Sequence, residues 1–167
     1  MNDTMKTLLL FRHAKASRDD AGVPDHERTL KSSGKKDAKQ MGRLLREANL
    51  VPTLIVSSTA VRARKTASKA AKQMDYPRAI ELSERLYLST PRDYLEVVHS
   101  VQDTEDRVML VGHNPGISQF LSELTDTATE LSTAEVAQIE LPIKHWADLA
   151  ASDAGKLVKL WQPDKAN

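Results

Sequence analysis

The sequence predicts an α/β protein in three layers, a mostly parallel sheet covered by helices on both faces. Short apolar runs alternate along the chain with stripes at helical spacing, the pattern of a sheet with crossover helices. Three of those runs end in polar side chains suited to chemistry. The tail then changes to strict apolar–polar alternation, which marks a half-exposed strand near an edge.

In order, strands are predicted at 7–11, 54–56, 79–82, 107–111, 135–141 and 156–161. Thr7-Leu8-Leu9-Leu10-Phe11 is a continuous apolar run, as in a strand buried on both faces. Ala38, Met41, Leu45 and Ala48 give the first helical stripe, and Ala60, Ala63, Ala67, Ala70 and Met74 the second. Thr90-Pro91-Arg92-Asp93 reads as a capping box with proline at the first helical position, opening a helix through Tyr94, Leu95 and Val98. Ile117, Phe120, Leu121 and Leu124 give the fourth stripe. In the tail, Ala137, Ile139 and Leu141 alternate with Gln138 and Glu140.

A chain of 167 residues is expected to form one domain spanning 1–167, long enough to bury a proper core. Its 24 Lys and Arg against 23 Asp and Glu leave a net charge of +1, so no global basic field argues for nucleic acid. Any cationic character is local. The absence of cysteine removes disulfides, a thiolate nucleophile and cysteine-based zinc sites. Residues 1–6 lead into only five apolar-rich positions, too few for a signal peptide. No run approaches the roughly 18 apolar residues that cross a bilayer. A cytoplasmic protein without membrane association is the expectation.

The function lies in the strand ends, where open α/β sheets bind ligands. The first strand closes with Arg12-His13. The second runs into Ser57-Ser58-Thr59-Ala60-Val61-Arg62, and the fourth into Gly112-His113-Asn114-Pro115. Taken singly, each has an ordinary explanation. Arg-His after a strand is most often a solvated loop, and Arg62 stands among Arg64, Lys65 and Lys69, where a charge run is normally the wet face of a helix. Their coincidence at three equivalent ends points instead to two fixed cations and two imidazoles around one anion. Planar guanidinium forks pair with phosphate in bidentate fashion, and an unprotonated imidazole is a nucleophile. No two histidines have a metal-ligand spacing such as H-E-x-x-H, so no metal or cofactor is expected.

These residues resemble the histidine phosphatase superfamily, with its phosphoglycerate mutase-like fold. Leu10-Phe11-Arg12-His13-Ala14 matches its strand and Arg-His-Gly. Ser57-Ser58, Arg62 and Thr66-Ala67 match its serine pair, arginine and Thr-Ala, and Val111-Gly112-His113 matches its strand and Gly-His. Order and spacing agree from Lys6 to Trp161. The short length, Ala14 in place of glycine, and Arg12-His13-Ala14-Lys15-Ala16-Ser17 look most like the SixA branch, whose members dephosphorylate phosphohistidine on proteins.

The resemblance implies a phosphoric-group hydrolase with His13 as nucleophile, passing through a phosphohistidine that water hydrolyses. Arg12, Arg62 and His113 are then the catalytic and phosphate-binding partners, with Ser57 and Ser58 as further phosphate donors. Glu84 occupies the place of the mutase branch's glutamate and is the candidate general acid, although Glu84-Arg85 also reads as a charged pair in a polar loop. Asp25-His26-Glu27-Arg28-Thr29-Leu30 resembles a stretch of the short phosphatases, so Arg28, Lys15, Ser17 and Arg18 are candidates for the substrate mouth. The expected partner is a phosphorylated protein, such as a histidine-phosphorylated signalling or phosphotransfer protein, or else a small phosphorylated molecule. The alternatives are a phosphatase of small phosphomonoesters and a non-catalytic module that binds a phosphorylated ligand.

Overall fold

The computed structural model describes residues 5–18 and 22–164. Six strands form one sheet: β1 (Lys6–Arg12), β2 (Leu54–Ser58), β3 (Glu81–Ser83), β4 (Arg107–Gly112), β5 (Val136–Leu141) and β6 (Lys156–Trp161). Their order is β3-β2-β4-β1-β5-β6. The first four of that order pair in parallel, and β5 and β6 join as antiparallel strands. The alternating tail strand β5 is therefore one place in from the edge, covered on its outer side by β6.

Four helices complete the layers: α1 (Ser32–Glu47), α2 (Val61–Gln73), α3 (Pro91–His99) and α4 (Gly116–Thr125). Because strand side chains alternate, each central strand feeds two cores. Leu9, Phe11, Ile55, Met109 and Val111 pack under α1 and α2 with Ala38, Met41, Leu45, Ala63 and Ala67. Leu8, Leu10, Val56, Val108 and Leu110 pack under α3 and α4 with Tyr94, Val98, Phe120, Leu121 and Leu124. The predicted helical stripes are the buried faces of these helices.

Thr90 caps α3 as the sequence predicts: its side chain accepts from the Asp93 amide and the Asp93 carboxylate accepts from the Thr90 amide. The third strand is shorter than expected, 81–83 rather than 79–82, and is largely exposed because it forms the sheet edge. Two glycines are fixed by close approach. A Cβ at Gly34 would run into the Lys15 carbonyl, where α1 presses on the loop after β1, and one at Gly112 would run into the Tyr94 hydroxyl. Among the described residues, no helix is long and apolar enough to cross a membrane.

Candidate active site

The sheet order makes β2, β4 and β1 neighbours, with Arg12 opposite Gly112 and Ser57 opposite Val111. The residues that follow these three strands therefore meet at one end of the sheet. His13 and His113 stand side by side there, with ring centroids 5.0 Å apart.

His13 Nδ1 lies 2.7 Å from the carbonyl oxygen of Ala14. A carbonyl only accepts, so the neutral ring carries its proton on Nδ1 and leaves the lone pair on Nε2. Burial is the main reason its pKa is pushed down to about 4, and the charges of Arg62, Arg12 and Arg28 act in the same direction. A ring with this pKa is neutral across the physiological range.

His113 is almost fully buried and its pKa is lower still, about 3, through burial first and then the neighbouring His13 and Arg62. Its Nε2 lies 2.8 Å from Ser58 Oγ, which also accepts from the Ala60 amide at 3.2 Å. The remaining partner for the buried Ser58 hydroxyl proton is His113 Nε2. Neutral His113 consequently holds its own proton on Nδ1, a buried atom with no hydrogen-bond partner among the described residues. From below, the Tyr94 hydroxyl accepts from the His113 amide at 3.1 Å.

The serine pair differs from expectation. Ser57 Oγ is fully buried and donates to the Ser58 carbonyl at 2.9 Å, while Ser58 Oγ is committed to His113 and Ala60. These hydroxyls brace the imidazole and the start of α2 rather than presenting donors to a phosphate.

Arg62 is the second residue of α2 and is 4 % exposed. Its Nη1 donates to the Asp25 carbonyl at 2.8 Å and its Nη2 to Asp25 Oδ2 at 3.1 Å. Arg12 donates from Nη1 to the Leu131 carbonyl at 2.9 Å. The Nε atoms of both arginines are buried and have no partner among the described residues. With His113 Nδ1 they make three such buried N–H donors, and the charges of both arginines act on His13; such donors suit the oxygens of a phosphoryl group.

Asp25, which the sequence did not single out, is the hub on the opposite side. Its carboxylate accepts from Tyr87 Oη at 2.6 Å, from Arg62, and from Arg28 Nε at 3.0 Å. The Tyr87 hydrogen bond, followed by the Arg62 pair, holds its pKa down at about 2. Tyr87 packs edge-on against His113 and His26, with centroids at 5.5 and 4.8 Å. His26 Nε2 is 2.9 Å from Thr59 Oγ1.

Glu84 does not join this group. It is exposed on a single 3-10 turn, Glu84–Leu86, and its side chain forms no hydrogen bond or ion pair among the described residues. That turn buries Leu86 and delivers Tyr87 to the site instead. Of the mouth candidates, Arg28 is drawn in: its Nη1 also donates to the Ser17 carbonyl at 3.0 Å. Ser17 takes part through its backbone, its amide donating to Thr29 at 2.8 Å. Lys15 and Arg18 are exposed. Beyond Asp25, sequence reasoning missed Tyr87 and Tyr94; Thr66, quoted with the signature but given no role there, accepts from the Ala14 amide through its hydroxyl at 3.0 Å. For Asp25 a signal existed, since it stands three residues before Arg28 in the stretch already suspected.

The family model of the histidine phosphatase superfamily (branch 1) matches residues 8–87. An uncharacterized protein of Mycobacterium tuberculosis is 31 % identical over 149 residues, covering 83 % of this chain and 91 % of that one. A chloroplastic uncharacterized protein of Arabidopsis thaliana is 29 % identical over 173 residues, covering 96 % and 79 %. Among solved structures, a Nakamurella multipartitia protein assigned as phosphohistidine phosphatase SixA superposes with a TM-score of 0.82 at 27 % identity, covering 95 % of this chain and 96 % of that one. SixA in complex with tungstate shares the fold at 18 % identity, with a TM-score of 0.81 over 94 % and 97 % of the two chains. The chain belongs to the histidine phosphatase superfamily. It is a phosphoric-group hydrolase of the SixA-like type, with the phosphoglycerate mutase-like fold.

Proposed function

We propose that the protein removes phosphate from phosphohistidine on a protein, without a metal ion, through a covalent intermediate on His13. The observation that carries this is the His13 ring, neutral, with Nδ1 held by the Ala14 carbonyl and Nε2 left as the attacking atom. In the first step Nε2 forms a bond to phosphorus and the phosphorus–nitrogen bond of the substrate breaks, its electron pair leaving with the substrate imidazole, which departs neutral because its other ring nitrogen carries a proton. Arg12, Arg62 and His113 hold the phosphoryl oxygens. In the second step water attacks the His13 phosphoramidate, releasing inorganic phosphate and restoring the ring.

The leaving group decides between substrates. An alkoxide needs a proton donor, a carboxyl group of raised pKa close to the reacting atoms. Asp25 is held ionised, with a pKa of about 2, and Glu84 is exposed in a turn outside the cluster. Imidazole departs with far less help, so the composition of the site favours phosphohistidine over alkyl phosphates. The assignment of the Nakamurella multipartitia relative as a phosphohistidine phosphatase supports the same substrate class.

The test is a hydrolysis panel run with and without a chelator. It sets a protein phosphorylated on histidine with phosphoramidate against alkyl and aryl phosphomonoesters. The phosphohistidine protein is expected to be the best substrate, with activity unchanged by chelation, since arginines and an imidazole supply the charge a metal ion otherwise provides. Preference for an alkyl phosphate, or activity lost to the chelator and restored by one divalent ion, overturns the proposal.

A further inference from the structure

Charge in this chain is segregated. Residues 31–73 contain eleven Lys and Arg against two Asp and Glu, a net of +9, while the rest of the molecule sums to −8. Residues 31–73 hold α1 and α2, which pack side by side on one face of the sheet. Their outward positions carry Lys36, Lys39, Lys65 and Lys72 exposed, with Lys35 and Lys69 half-buried between them. None of these six lysines is in an ion pair among the described residues, and Asp75 holds only Arg46 at the far end of the face. Their mutual repulsion is strong enough to lower the pKa of Lys69, after desolvation, through Lys39, Lys35, Lys65 and Lys72.

Such an arrangement works against folding. Lys35 with Lys39, and Lys65 with Lys69, are like charges one helical turn apart, each pair unfavourable by about 0.2–0.5 kcal/mol. Among the described residues no ion pair offsets that cost. The face also runs into the catalytic site: α2 begins with Arg62 in the cluster and continues to exposed Arg64, whose Nε donates to the Thr59 carbonyl at 2.9 Å. On the other flank, Lys15, Lys36, Lys39 and Arg43 line a groove of about 770 Å³ together with the carboxylates of Asp37, Glu135 and Asp164.

We infer that the α1/α2 lysine face docks an acidic protein surface flanking the phosphorylated residue of the substrate. This rests on the phosphoprotein reading of the site. Segment 31–73 contains no aromatic residue on which a nucleic-acid base would stack. The exposed large apolar side chains, Val23, Leu82, Leu88 and Val158, all lie outside the two helices, so the face has nothing to insert into lipid. A hydrated, unpaired lysine field of this kind acts by steering and orienting a partner of opposite sign.

The experiment compares the wild type with the triple variant Lys65→Glu, Lys69→Glu, Lys72→Glu, folding being checked by circular dichroism. The substrate is an acidic phosphotransfer protein phosphorylated on histidine with phosphoramidate, and an aryl phosphate is the control. KM for the phosphoprotein is expected to rise at least tenfold at low salt with kcat unchanged, while the aryl phosphate kinetics stay within twofold. Wild-type KM rises with salt and the variant loses that dependence. A KM within twofold of wild type overturns the inference. So does loss of wild-type binding to anionic vesicles or single-stranded RNA in the variant with KM unmoved, which makes the face a lipid or nucleic-acid surface. Should the phosphoprotein prove not to be hydrolysed, the substrate reading fails separately. Calorimetric binding of the acidic carrier to His13→Ala protein, with and without the lysine reversals, then decides the docking face: a tenfold difference in Kd sustains it and equal affinities overturn it.

Discussion

Ser58 Oγ lies 2.8 Å from His113 Nε2 and takes its other hydrogen bond from the Ala60 amide, which fixes His113 as the Nδ1–H tautomer. A residue that the sequence offers as a phosphate donor instead sets which imidazole nitrogen of His113 carries the proton. Ser58→Ala is expected to lower kcat about 10–100-fold, the scale for misdirecting one preorganised donor, with a smaller change in KM. The imidazole nitrogen shifts of His113 in NMR spectra check the cause, because the variant should show a mixed or inverted tautomer. Unchanged shifts with lowered kcat would show that Ser58 acts in another way.

Loss of the nucleophile is expected to be complete. His13→Ala should abolish turnover, and quenched wild-type enzyme should carry acid-labile, alkali-stable phosphate on His13. Arg62→Lys keeps a charge but loses the fork that spans Asp25, so kcat/KM should fall by about 10²–10³. Phosphate recovered on Ser57 or Ser58 would contradict the mechanism.

The two buried histidines give a pH signature. Their folded pKa values, about 4 for His13 and about 3 for His113, lie below the ordinary 6.5. The unfolded chain therefore binds more protons than the folded one between those limits. The stability they contribute is full above pH 6.5 and is lost as pH falls toward 4, at about 1.4 kcal/mol per pH unit for each ring. Denaturation curves at pH 7 and pH 5 should show this loss, and His13→Ala with His113→Ala should flatten it. By NMR, His13 should titrate near 4; a midpoint near 6.5 would remove the account of a permanently neutral nucleophile.

Glu84 tests the leaving-group argument. Because its side chain is exposed on the 84–86 turn, Glu84→Gln is expected to change phosphohistidine cleavage by less than about tenfold, or 1.4 kcal/mol of barrier. Aryl phosphates should outpace alkyl phosphates in the wild type. A loss of several hundredfold on every substrate would make Glu84 the general acid after all.

The strand ends and helical stripes were legible because burial imposes a period on the sequence: two for β5, 3.6 for α1 and α2. Arg12, His13, Arg62 and His113 were legible because they stand at the ends of such elements: Arg12 closes β1, His13 and His113 come directly after β1 and β4, and Arg62 lies in the first turn of α2. Asp25, Tyr87 and Tyr94 were not. Asp25 and Tyr87 lie in irregular segments where no period marks the facing side, and their pairing spans 62 positions. Tyr94 sits inside an ordinary apolar stripe, and only the tertiary contact of its hydroxyl with the His113 amide gives it a role. The role of Ser58 is not legible for a related reason, since the His113 imidazole that it meets comes from a distant strand.

The loop after β1 is tied on every side. The Ala14 amide donates to Thr66, the Lys31 amide to the Lys15 carbonyl, the Ser17 amide to Thr29, and Gly34 lets α1 close against Lys15. Although it lacks regular secondary structure, this segment should exchange its Ala14 and Ser17 amide hydrogens as slowly as the strands of the core. The backbone that carries His13 is then released only when α1 and α2 come away from the sheet, while the ring itself stays partly open to solvent. Proteolytic nicking or insertion close to residues 13–17 would act as a global unfolding event, and not as the loss of a mobile loop.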